Sequence, residues 1–121
     1  MYGVYGKMSL QEQEDIRLLL KQIVVKERMQ GPDNFGHIVS IPKDFYQKQK
    51  EFLSTLQEED KMKMQSLYHS LIVSRKSRLV SYAEALIPIE TIQDNISDEE
   101  FVFYKNMLKI TTEFSDMVKI D

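Results

Sequence analysis

A chain of 121 residues is long enough for one domain with a core of its own. It has no cysteine, which excludes disulfides, thiolate metal sites and cysteine nucleophiles, and its net charge of −3 neither demands nor forbids a nucleic-acid partner. Three prolines, four glycines and 29% charged residues argue against disorder and against an all-β fold, and no run approaches the ~18 apolar residues of a membrane span.

Residues 1–8 read as a short non-helical arm carrying Tyr2 and Tyr5, without the apolar stretch of a signal peptide. Ser9 and Glu12 form a capping box that opens a first helix running to about Met29, with Ile16, Leu19, Leu20, Ile23 and Val24 facing inward. Gly31 to Gly36 is a loop, and His37 to Ile41 is a short extended piece kept out of helix by Pro42. A second helix is expected from Pro42 or Lys43, with Phe45, Phe52, Leu53 and Leu56 inside. The acidic run Gln57 to Asp60 marks the break before a long helix, Met62 to Leu86, and suits the positive end of that helix. Pro88 bars its continuation. The connector Ile87 to Ile96 carries three isoleucines (Ile87, Ile89, Ile92) that should lie across the core. Ser97 and Glu100 form a second capping box, and Ile96 with Phe101 a hydrophobic staple, so a last helix runs to about Val118. The expectation is an all-α fold, a four-helix bundle with one long central helix.

The long helix has one apolar stripe, through Met64, Leu67, Tyr68, Leu71, Ile72, Leu79, Tyr82, Ala83 and Leu86. Arg75 and Arg78 interrupt it. With Lys76 they form the densest basic cluster of the chain. Three readings are open: a solvated helix face, phosphate contact by a basic helix, or structural arginines paired with carboxylates of other helices. The first places the arginines on the wrong face, and the second usually wants more cations. The third requires a partner, because a buried charge must be paired; Asp44 or a glutamate of another helix is a candidate for Arg75, and Arg78 belongs to the same structural set.

No catalytic set can be assembled. Ser66 stands three residues before His69, so the Glu-x-x-His of helical di-iron sites is missing, and His69 reads as an ordinary half-buried histidine. There is no glycine-rich phosphate loop and no nucleophile elbow. The acidic runs at residues 58–60 and 98–100 sit at helix starts, where capping and dipole roles explain them. No enzyme activity, metal or cofactor is expected.

The last helix carries two apolar stripes. One runs through Phe101, Tyr104, Leu108, Thr111 and Val118; the other runs through Phe103, Met107, Ile110, Phe114 and Met117. A surface helix needs only one. The second is therefore expected to meet another chain, unless the connector and the first helix fold over it.

Three segments in order resemble the helical A domain of a GINS complex subunit, of the archaeal type that carries this domain first: IPKDFY (Ile41 to Tyr46), LIVSRKSRLVSYA (Leu71 to Ala83) and ISDEEFVFY (Ile96 to Tyr104). Arg78 stands where the family commonly has lysine. The resemblance spans about residues 10–118, so residues 9–121 would be the A domain, and no β-rich segment remains for the B domain that normally accompanies it. It implies a non-catalytic scaffold in DNA replication that assembles with like subunits or itself. Such a scaffold bridges the MCM helicase and a RecJ-like or Cdc-forty-five-like partner, with weak or indirect DNA contact. The implied location is the cytoplasm, at the nucleoid in a prokaryote. The alternative is a helical nucleic-acid-binding module using Arg75, Lys76 and Arg78.

Overall fold

The computed structural model describes residues 8–30 and 38–120, and over these residues the chain is all-α, with no strand. The helices are α1 (Leu10–Met29), α2 (Phe45–Ser54), α3 (Glu58–Glu84), the short α4 (Ile89–Ile92) and α5 (Asp98–Val118), with a 3-10 turn at Gln93–Asn95. The expected arm, apart from Met8, the loop 31–36 and His37 lie outside the described residues.

Both capping boxes form. The Ser9 and Ser97 hydroxyls accept the backbone N–H groups of Glu12 and Glu100, whose carboxylates accept the serine N–H groups in return. Two helix starts differ from expectation. Helix α2 begins at Phe45, because Pro42 to Asp44 close a turn with Phe45 N–H donating to the Pro42 carbonyl at 3.1 Å. Helix α3 begins at Glu58, so Glu58, Glu59 and Asp60 form its first turn, where their charge complements the helix dipole. Its far end is a Schellman turn: Ile87 N–H reaches the Tyr82 carbonyl and Leu86 N–H that of Ala83, with Leu86 held at φ 57°.

Two apolar clusters make the core. One joins Leu20, Ile23 and Val24 of α1, Phe45, Phe52 and Leu53 of α2, and Met64 and Leu71 of α3. The other joins Leu79, Tyr82 and Ala83 of α3 with Ile92, Ile96 and Tyr104. Ile92 and Ile96 are fully buried, so the connector does lie across the core. The extended residues 38–41 run between the clusters, with Ile38 packed in one and Ile41 in the other, and Ile41 N–H donates to the Asn95 carbonyl at 3.1 Å. Lys43 Nζ clamps the connector by donating to the Ile96 carbonyl at 2.9 Å and to that of Gln93. Arg75 stands on α3 between Leu71 of the first cluster and Leu79 of the second.

Candidate functional site

Arg75 is fully buried, with 0% of its surface exposed. Nε donates to Glu100 Oε2 at 2.6 Å and Nη2 to Glu100 Oε1 at 3.0 Å, a two-pronged pair across α3 and α5. Nη1 donates to Glu27 Oε1 of α1 at 3.1 Å and to the Val39 carbonyl at 2.8 Å, and Nη2 also reaches the Asn95 carbonyl at 3.4 Å. All five donors of the guanidinium are therefore used. Glu100 is equally saturated: Oε1 also accepts the Ser97 N–H at 3.0 Å, and Oε2 the Tyr46 hydroxyl at 2.6 Å. Arg78 Nε donates to the other oxygen of Glu27 at 3.2 Å.

Burial disfavours a charged guanidinium, but the hydrogen bond and charge of Glu100, with the charge of Glu27, outweigh it and hold the Arg75 pKa above its ordinary value. Burial first, then the adjacent Glu100 carboxylate, pushes the Tyr46 hydroxyl well above the usual tyrosine value. Arg75 and Arg78 are thus both paired with glutamates of other helices, and Asp44 is not their partner. It is exposed at the N-terminal cap of α2, where its short side chain makes no capping bond. The carboxylates that do reach are longer glutamates on buried helix faces, Glu27 and Glu100.

The same geometry disperses the basic cluster. Arg75 is enclosed and Arg78 is turned to Glu27, leaving Lys76 as its exposed member. His69 is exposed rather than half-buried, since it falls on the outer side of α3, and no group of three metal-ligating side chains gathers among the described residues. No described helix is long and apolar enough to cross a membrane.

The second stripe of α5 divides in two. Phe103 and Met107 are half-buried and pack on the α3–connector cluster. Ile110, Phe114 and Met117 are 58%, 64% and 82% exposed, because the helix runs on past the body that packs against its first half. Val118 of the first stripe is uncovered there too, at 59%. Beside Phe103, a groove of about 460 Å³ opens between α2, α3 and α5. Tyr68, Ile72 and Leu79 form its apolar wall, and the exposed Lys50, Lys76 and Glu99 border it.

Comparison with family models, with curated proteins and with solved structures gave no match.

Proposed function

We propose that the chain is a non-catalytic interaction scaffold, a helical module like the A domain of GINS subunits, that assembles with like subunits and bridges a replicative MCM helicase and a RecJ-like or Cdc-forty-five-like partner. The observation that carries the scaffold reading is the uncovered apolar end of α5, where Ile110, Phe114 and Met117 follow one another along a single stripe. Contiguous exposed apolar surface of this kind marks an interaction site. The Arg75–Glu100–Glu27 network favours the same reading, because it spends its charge on holding α1, α3 and α5 together and leaves nothing for a substrate. The specific partners rest on the resemblance of the Ile41–Tyr46, Leu71–Ala83 and Ile96–Tyr104 segments.

The test is a binding titration of the purified chain against MCM helicase and RecJ-like proteins. Saturable binding that Ile110→Glu with Phe114→Glu abolishes, while the circular dichroism spectrum is unchanged, supports the reading. Binding to neither protein removes those partners, and tight, steeply salt-dependent binding to DNA in their place would return the chain to the nucleic-acid class.

A further inference from the structure

We infer that the uncovered end of α5 is covered by the α5 of a second copy of this chain, running antiparallel about a two-fold axis at Ile110. This rests on the scaffold reading above and names one occupant for its surface.

The spacing of the stripe carries the geometry. Phe103, Met107, Ile110, Phe114 and Met117 step by four, three, four and three, the repeat of a helix that packs along another helix. That series reads almost the same in both directions from its middle member. Laid antiparallel with Ile110 on the axis, Ile110 meets its own copy, Phe114 falls beside Met107 of the second chain, and Met117 falls beside Phe103. Each exposed residue at the far end thus meets a half-buried one at the near end. A two-fold contact must be self-complementary in this way. A parallel pairing would set the bare ends against each other and leave the groove beside Phe103 unfilled.

Charge favours the same arrangement. The last turn of α5 holds Asp116 and no basic residue, Glu113 precedes it, and Lys119 follows only as the cap. The negative end of a helix dipole with acids on it favours nearby cations. Antiparallel pairing brings that end to the neighbourhood of Phe103 on the second chain, where the groove carries two exposed cations, Lys50 and Lys76, against one exposed acid, Glu99.

The absence of cysteine makes a direct test simple. Single cysteines are placed at 103, 110 and 117 and joined by mild oxidation or a short bis-maleimide, with helicity checked by circular dichroism. Ile110→Cys is expected to cross-link to itself. Phe103→Cys and Met117→Cys are each expected to stay uncross-linked alone and to join when mixed. A second arm covers the variants that alter packing: Lys50→Glu with Lys76→Glu should weaken self-association about tenfold, and Glu113→Lys with Asp116→Lys on the same chain should restore it. Self-cross-linking of Phe103→Cys would show a parallel pair and overturn the inference while leaving the scaffold reading intact. A chain that stays monomeric at several hundred micromolar also overturns it, and assigns the surface to a different protein.

Discussion

Arg75 Nε lies 2.6 Å from Glu100 Oε2, with both groups almost fully withdrawn from water and the same carboxylate closing the capping box of α5. One side chain thus starts a helix and anchors it to the centre of another. Removing one partner of a buried ion pair costs about 3–5 kcal/mol, because the other is left charged and unpaired. Arg75→Ala is expected to lose that much in a urea unfolding curve. Arg75→Lys should recover little, since an ammonium has three donors on one atom and cannot span Glu100, Glu27, Val39 and Asn95. A loss under about 0.5 kcal/mol, the norm for surface substitutions, would contradict the network.

The two acids should not be equivalent. Glu100 accepts from Arg75 twice, from Tyr46 and from Ser97, whereas Glu27 accepts from Arg75 and Arg78. Glu100→Ala is expected to destabilise by more than Glu27→Ala, the first by about 3–5 kcal/mol and the second by about 2–3 kcal/mol. Equal losses would show that the capping and tyrosine bonds add nothing.

Alkaline stability should depend most on Tyr46 and Tyr104, with a further part from Tyr68, which burial also raises. Burial pushes the Tyr104 hydroxyl, which donates to the Ile87 carbonyl at 2.7 Å, up to about 12, with Tyr82 adding to the shift; Tyr46 is raised further. A folded pKa above the unfolded value of about 10 favours the protonated form in the folded state. Their contribution is therefore complete below pH 10 and is lost as the pH climbs from there, through about 12 for Tyr104 and beyond it for Tyr46. Tyr46→Phe should cost about 1–2 kcal/mol at pH 7, from the lost bond to Glu100, and should make the alkaline decline shallower. A decline of equal slope in the variant would exclude Tyr46 as a source.

Leu86 pays for its place in the Schellman turn with a left-handed backbone at φ 57°, which disfavours any side chain. It is also half exposed, so it has little packing to lose. Leu86→Gly is expected to raise stability by about 0.5–1 kcal/mol, read as a higher Tm. A lower Tm would mean that its remaining contacts outweigh the strain.

Much of this fold could be read from residue order because two helix starts, those of α1 and α5, carry their own local chemistry. Ser9 with Glu12 and Ser97 with Glu100 needed no tertiary information. Arg75 was visible as a charge inside an apolar stripe. Its partners were harder, because pairing across helices depends on how they cross. Glu27 carried the same signal, lying four residues after Ile23 and three after Val24 on the buried face of α1. Glu100 was hidden by its second job, since a capping role already explained it. Asp44 drew attention through its motif, yet a short side chain on an outer turn has no reach. The start of α2 was displaced because Pro42 at a turn and Pro42 in a first helical turn leave the same trace. On α5 the stripes were legible, but where the body ends along them was not: that depends on how far the connector with Ile92 and Ile96 extends over the helix.

The most direct measurement is the mass of the chain in solution by light scattering, from low to high micromolar concentration, for the wild type and for Ile110→Glu with Phe114→Glu. Both positions are exposed, so the substitutions leave the core alone, unlike one at Met107, which packs on it. The wild type is expected to approach twice the chain mass as concentration rises, and the variant to stay at the chain mass with unchanged helicity. A wild type that remains at the chain mass throughout, alone and with the helicase and RecJ-like proteins added, would contradict the assignment of α5 as an assembly surface.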